Sequence, residues 1–189
     1  MPPCGVLVDI DGTLYDEPLT YCRLLSEFFG IAVGHDEIDQ WALVGQLKGD
    51  EFDRLVRDGL HRDDTILSNV PYESAAETLR GWADAGVKIH LISSRRPSTR
   101  AVTMVWLAQH GIPWHALVCE KPIDKVAYAR AHHLSLMIDD CPATLDAAVA
   151  AGIPIATIAL RWSLPTIARH HQILAAATWR DLNLLIEVA

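Results

Sequence analysis

Five short apolar runs separated by segments of helical length constrain this chain more than any other feature. Gly5–Ile10, Val87–Ile92, Ala116–Val118, Ser135–Ile138 and Ile155–Ile158 are largely apolar on both faces, the pattern of strands buried in the middle of a parallel sheet. Helical patterns fall between and after them. Glu73–Ala85 ends at Gly86, Ser98–His110 at Gly111, and Ala143–Ala151 at Gly152, each glycine suited to a left-handed cap; Asp124–His132 is a further helix. Alternation of this kind predicts an α/β fold, a Rossmann-like parallel sheet flanked by helices with right-handed crossovers. A last helix is expected over Thr178–Glu187, with Thr178 as its cap and Asp181 three residues on.

Residues 16–71 break the alternation. Pro18–Phe29, Asp36–Leu47 and Asp50–Leu60 space their apolar residues as helices do, so a small helical cap subdomain is expected there, with residues 1–15 and 72–189 forming the core domain. Cys22, Leu25 and Phe29 would make one apolar face of the cap, Trp41, Val44 and Leu47 a second, and Phe52, Leu55 and Val56 a third.

Composition narrows the function classes. A net charge of −8 argues against wrapping a nucleic-acid polymer, which needs clustered Lys and Arg, but leaves room for a small phosphorylated substrate served by a few cations or a metal. Cys4, Cys22, Cys119 and Cys141 are scattered without a CxxC pair, and no signal-peptide pattern precedes the first strand, so a reducing, cytoplasmic setting is expected. The apolar stretch around Ala151 to Leu160 contains Gly152 and Pro154 and is too short for a membrane span. The adjacent pairs His132-His133 and His170-His171 point apart on a helix and lack zinc-ligand spacing.

The chemistry concentrates at the ends of the apolar runs, where a parallel sheet collects ligands. Val6–Asp16 reads VLVDIDGTLYD: Asp9 and Asp11, two residues apart at a strand end, are followed by a turn at Gly12-Thr13. Like charges that close together need a cation, so the pair predicts a metal. The second run ends in Ser93 and Ser94 followed by Arg95 and Arg96; the third is followed by Lys121 and Lys125 in EKPIDK; the fourth ends in Asp139 and Asp140.

Asp9-Ile10-Asp11-Gly12-Thr13 resembles the DxDGT signature of the haloacid dehalogenase (HAD) superfamily, and the three later sites occur in that family's order along nearly the whole chain. The resemblance implies phosphoryl transfer: Asp9 as nucleophile, Asp11 as general acid and then base, and Ser93 with the Ser94 amide on the phosphate. Arg95 or Arg96, two cations at the crevice rim, would grip it. It implies Mg²⁺ as cofactor, held by Asp9, the Asp11 backbone carbonyl and Asp139, with Asp140 either a water-mediated ligand or a partner of the active-site lysine. That lysine is Lys125 if the Asp-Lys pair follows the 5′-nucleotidase-like branch, or Lys121 if the Lys-Pro pair follows the sugar-phosphate phosphatases; the first is favoured. Cys141 departs from the branch, whose members often carry Arg there. The implied activity is hydrolysis of a small phosphomonoester, a nucleoside monophosphate first, with a sugar- or small-metabolite phosphatase as the rival among enzymes and a non-catalytic binding module as the rival from another class. Trp41 in the cap is a candidate for contact with a substrate ring, and Asp146 reads as ordinary helix surface.

Overall fold

The computed structural model describes residues 4–43 and 46–188. Six parallel strands lie in the order β3-β2-β1-β4-β5-β6, with β1 at Gly5–Val8, β2 at Lys88–Ser93, β3 at Ala116–Cys119, β4 at Leu136–Ile138, β5 at Ile155–Ile158 and β6 at Leu174–Ala176. Every residue of β1 is buried because β2 pairs with it on one side and β4 on the other. Successive side chains of a strand point to opposite faces, and the core divides accordingly. Val6 and Val8 pack into one layer with Leu79, Trp106 and Trp179, whereas Leu7 joins Ala129, Leu145 and Ala148 in the other.

The first layer is covered by α4 (Ala75–Asp84), α5 (Arg100–Gln109) and α9 (Trp179–Val188), the second by α6 (Lys125–Ala131) and α7 (Pro142–Ala150). Thr178 caps α9 as the sequence suggests, accepting from the Asp181 amide at 3.1 Å and donating to its carboxylate at 2.7 Å. The helices before β2 and β3 begin later than expected, at Ala75 and at Arg100, the latter after a 3₁₀ turn over Pro97–Thr99. The sixth strand was not expected: β6 is a three-residue edge strand of Leu and Ala, only partly buried, with none of the β-branched residues that mark a strand. Between β5 and β6 lies α8 (Leu164–Arg169), and its Arg169 and His170 pair with Asp146 of α7 on the surface.

Between β1 and α4 come α1 (Glu17–Phe29), α2 (Glu51–Leu55), a π turn over Val56–Leu60 and α3 (Asp63–Ser68). Asp16 caps α1 by accepting from the Leu19 amide, Pro18 fits its first turn, and Gly30 closes it at φ 65°. Among the described residues of the span Asp36–Leu47, two single 3₁₀ turns, His35–Glu37 and Trp41–Leu43, stand where a helix is expected. Its apolar residues still pack inward, Ile38, Leu43 and Leu47 meeting Leu24, Leu25 and Leu55, so periodicity reported burial without reporting helix. Val44, placed on one of the expected faces, lies outside the described residues. The two stems of the insertion clasp each other: Tyr15 bridges Pro71 in antiparallel fashion, and the Tyr72 amide donates to the Leu14 carbonyl at 2.8 Å. That clasp hangs the inserted elements beside the carboxyl ends of the strands.

Candidate active site

Strand order decides where the chemistry gathers. The chain leaves β1 toward β2 on one side and reaches β4 on the other, so the sheet has a topological switch point between β1 and β4, where a crevice opens outside the carboxyl ends. Asp9 follows β1, Asp139 and Asp140 follow β4, Ser93 ends β2, and Lys125 opens α6 after β3. Residues 131 positions apart along the chain are thereby brought to one place: an oxygen from each of Asp9, Asp139 and Asp140 lies within 4.8 Å of the others.

All three carboxylates are buried. Lys125, capped into α6 by Asp124, sends its Nζ to Asp9 Oδ1 and Asp139 Oδ2, both at 2.6 Å. Burial works against its charge, but Asp139 and Asp9 outweigh this and raise the ammonium well above its ordinary range. Lys121 is exposed. Of the two lysines left open by sequence, Lys125 is therefore the one in contact with the acids, and its partner is Asp139, not Asp140.

Asp139 also accepts from the Cys141 amide at 2.9 Å, the N-cap of α7. Asp140 is held differently, by the Thr13 hydroxyl at 3.1 Å and the Trp162 indole N–H at 3.0 Å. Gly12 makes room for it. At φ +75°, a Cβ on residue 12 would run into the Asp140 carboxylate, so the DxDG glycine is required both for its backbone and for its missing side chain. Gly12→Ala is expected to displace Asp140, lower the melting temperature and reduce hydrolysis at least about tenfold; a variant with wild-type turnover would show that Asp140 does not need this seat.

One ammonium does not balance three buried acids. Burial, then Asp139 and Asp11, push Asp9 up to about 7 despite the attraction of Lys125, and burial with Asp9 and Asp139 pushes Asp140 well above the usual carboxylate range. The donor set is all oxygen, the kind that suits a hard divalent ion such as Mg²⁺. The residues present thus fit a metal on their own chemistry.

Asp11 stands outside that group, gripped from the other side. Arg95 donates from Nε to both of its oxygens at 3.1 and 3.0 Å and from Nη2 at 2.9 Å; the Tyr15 hydroxyl adds 2.6 Å and Ser93 Oγ 3.0 Å. Burial alone would raise the Asp11 carboxyl, but the Arg95 guanidinium and the Tyr15 hydroxyl bring it down to about 2. The expected place of Arg95 at the crevice rim is corrected: it is 1% exposed, spans Asp11 and Thr103, and leaves the rim to the half-buried Arg96. The local sequence SSRR cannot show which arginine turns inward, because the choice is made by Asp11, 84 residues away. Ser93 is buried at the crevice, donating to Asp11 and accepting from the Arg95 amide at 3.1 Å, and Ser94 is exposed beside it.

Sequence reasoning missed several residues here. Trp162 bridges the core and the inserted elements, its N–H on Asp140 and its ring edge-on to Trp41 at 5.5 Å and near Tyr21 at 6.4 Å. Trp41 therefore packs against protein, although it remains 40% exposed. Glu17 at the start of α1 is a further buried carboxyl, raised well above its ordinary value by burial and by Asp11. The only local hint was a carboxylate on an otherwise apolar helix face.

The comparisons with known proteins agree with this geometry. The family model described as 5′ nucleotidase, deoxy (Pyrimidine), cytosolic type C protein matches residues 3–189. A protein of Halalkalibacterium halodurans named "Putative nucleotidase" is 24% identical over 135 residues, 70% of this chain and 67% of its own length. Among solved structures, a HAD family hydrolase from Deinococcus radiodurans, with bound phosphate and sodium, superposes with a TM-score of 0.63 at 18% identity, covering 93% of this chain and 92% of that one. A protein from Clostridium acetobutylicum named as a predicted phosphatase reaches a TM-score of 0.72 at 16% identity over the whole of both chains. With a family model spanning nearly its entire length, an α/β sheet of the HAD type and the acids of the first and fourth strand ends gathered at the switch point, the chain belongs to the cytosolic type C deoxy-5′-nucleotidase family, HAD-superfamily phosphatases that hydrolyse phosphoric monoesters.

Proposed function

We propose that this protein is a Mg²⁺-dependent phosphomonoesterase that works through an aspartyl phosphate on Asp9, with a nucleoside monophosphate as its first candidate substrate and the cytoplasm as its setting. The observation that carries the reading is the division of labour among the acids: Asp9 clusters with Asp139 and Asp140, with Lys125 on Asp9 and Asp139, while Asp11 is held apart by Arg95. A nucleophile and a proton carrier need these different surroundings.

In the first step an Asp9 oxygen attacks phosphorus in line, the P–O bond to the alcohol breaks, and Asp11 gives its proton to the departing oxygen. Asp11 rests ionised against Arg95. A phosphate dianion arriving beside it adds like charge, which raises its affinity for a proton, so Asp11 takes up one proton from solvent as substrate binds and holds it for the departing oxygen. In the second step Asp11 takes a proton from water, the water oxygen bonds to phosphorus, and the Asp9–phosphorus bond breaks. Ser93 and the Ser94 amide hold phosphoryl oxygens, and Lys125 offsets their charge. A Mg²⁺ ion held by Asp9, Asp139, the Asp11 backbone carbonyl and, directly or through water, Asp140 would supply further neutralisation of the transferring group.

The substrate side rests on the family and its relative from Halalkalibacterium halodurans. Phosphate release from a panel of deoxynucleoside monophosphates, ribonucleoside monophosphates and sugar phosphates, with and without Mg²⁺, tests it. Turnover that needs Mg²⁺ and favours nucleotides is expected. Sugar phosphates turned over faster would move the assignment within the family of reactions, and the absence of Mg²⁺-stimulated hydrolysis across the panel would sink it.

A further inference from the structure

Glu17 has no part in the two steps above, yet a short chain of contacts ties it to the crevice: it holds the Tyr21 hydroxyl, Tyr21 packs against Trp162, and the Trp162 indole N–H holds Asp140. Glu17 is 3% exposed. Oε1 accepts from the Tyr21 hydroxyl at 2.9 Å, while Oε2 is buried with no hydrogen-bond partner among the described residues. Its electrostatic neighbours are those of the reaction: Asp11 and Asp9 act on it, and Asp140 in turn feels it. A carboxyl buried this way costs stability unless something completes it. The other buried residues of α1 are either apolar, as Pro18, Leu24 and Leu25 are, or hydrogen-bonded, Thr20 to Asn69 and Tyr21 to Glu17 itself.

A second polar atom comes from the adjoining element. His61 ends the π turn, and its Nδ1 is also buried and unpartnered among the described residues. Burial, together with the cations Arg95, Arg96 and Lys121 and against the pull of Asp11, keeps the ring neutral. The π turn and α1 are packed closely, Gly59 fitting against Leu24 and Phe28. Two buried groups with free hydrogen-bonding capacity are thus borne by neighbouring cap elements within the field of Asp11, the residue that would protonate the leaving oxygen.

We propose that Glu17 is a specificity-determining residue whose Oε2 hydrogen-bonds a hydroxyl or amino donor on the alcohol side of the phosphomonoester, with His61 Nδ1 as a second contact. The proposal rests on the phosphomonoesterase reading above and names its substrate class: leaving groups bearing neutral donors, as sugars and nucleosides do. Leaving groups without a donor are disfavoured because they would leave Oε2 buried and unpaired. Those carrying a carboxylate would press another negative charge on a site already holding Asp9, Asp11 and Asp140.

The test compares wild type, Glu17→Leu and Glu17→Gln on deoxyuridine 5′-monophosphate, ribose 5-phosphate, 2-phosphoglycolate and p-nitrophenyl phosphate. The ratio of kcat/KM for either hydroxyl-bearing substrate to that for p-nitrophenyl phosphate is expected to fall at least about tenfold in Glu17→Leu and to stay within about threefold in Glu17→Gln, which keeps a donor and an acceptor. Glu17→Gln is expected to melt no lower than wild type, since it keeps an acceptor for the Tyr21 hydroxyl and removes a buried carboxyl; Glu17→Leu, which leaves that hydroxyl unpaired, is read by the substrate ratio. A ratio equal in all three proteins overturns the proposal. Calorimetric binding of deoxyuridine 5′-monophosphate with Mg²⁺ to Asp9→Asn protein, with and without Glu17→Leu, reads the same contact without turnover. At least about tenfold weaker binding with Glu17→Leu is expected, and equal or undetectable binding in both overturns the role. Failure of wild type to release phosphate from any of the four, with that binding difference intact, would instead remove the hydrolase reading and leave the recognition role standing.

Discussion

Asp9→Asn protein is expected to lose phosphatase activity by about 10⁴-fold or more while remaining folded. The size of the loss follows from the kind of group removed. If Asp9 forms the covalent intermediate, the amide cannot replace it, and what survives is the binding and charge stabilisation offered by Lys125, Ser93 and any bound ion. Stability should move the other way. A carboxyl raised from 3.8 to about 7 in the folded chain is ionised at a cost there, and asparagine removes that cost along with one of the three crowded charges around Lys125. Measured in chelator, the variant should melt at or above the wild-type temperature. Activity and melting therefore separate the nucleophile from a structural acid. Turnover within tenfold of wild type would deny Asp9 its role, and a variant both inactive and unfolded would point to Asp9 as a pillar of the crevice instead.

Much of this crevice is legible in the sequence because its parts lie in short contiguous strings at strand ends. Asp9-Ile10-Asp11-Gly12-Thr13 and Asp139-Asp140 each carry strand, turn and acids within a few residues, and apolar runs flanked by helical periods place them on the same edge of a parallel sheet. The misses share a physical cause. Arg95 turns inward to Asp11 across 84 positions, and Trp162 caps Asp140 from 22 positions away; neither leaves a periodic trace in its own neighbourhood. Glu17 is hidden because a glutamate directly after the capping Asp16 reads as an N-terminal charge favouring the helix dipole, and only the fold buries it under Tyr21. The single 3₁₀ turns at His35–Glu37 and Trp41–Leu43 escape sequence reasoning on related grounds: the apolar spacing reflects what must face Leu24 and Leu55, and short turns satisfy it as well as a helix does.

The second large effect is expected from Arg95. Replacing it with leucine, which keeps apolar volume but no donor, leaves Asp11 with Tyr15 and Ser93 as its partners among the described residues and strands a mostly buried carboxylate, its side chain 18% exposed. Breaking a buried pair in this way typically costs about 3–5 kcal/mol, more than any surface ion pair in the chain is worth. The direction with pH identifies the mechanism. Asp11 is depressed to about 2 from an ordinary 3.8, so the folded state binds fewer protons than the unfolded chain in that interval, and the stabilisation is full above about pH 4 and lost as pH falls through 2. In Arg95→Leu the depression goes, burial dominates, and the Asp11 carboxyl moves above its ordinary value; its contribution then falls as pH rises past 3.8. The gap in unfolding free energy between wild type and Arg95→Leu should therefore be widest near neutrality and narrow on acidification. The double variant Arg95→Leu/Asp11→Asn removes the stranded charge and should recover part of the loss. A gap that does not change between pH 7 and pH 3, or a double variant no more stable than Arg95→Leu alone, would mean that Arg95 supports the fold through its packing against Tyr15 and Thr103 and not through its hold on Asp11.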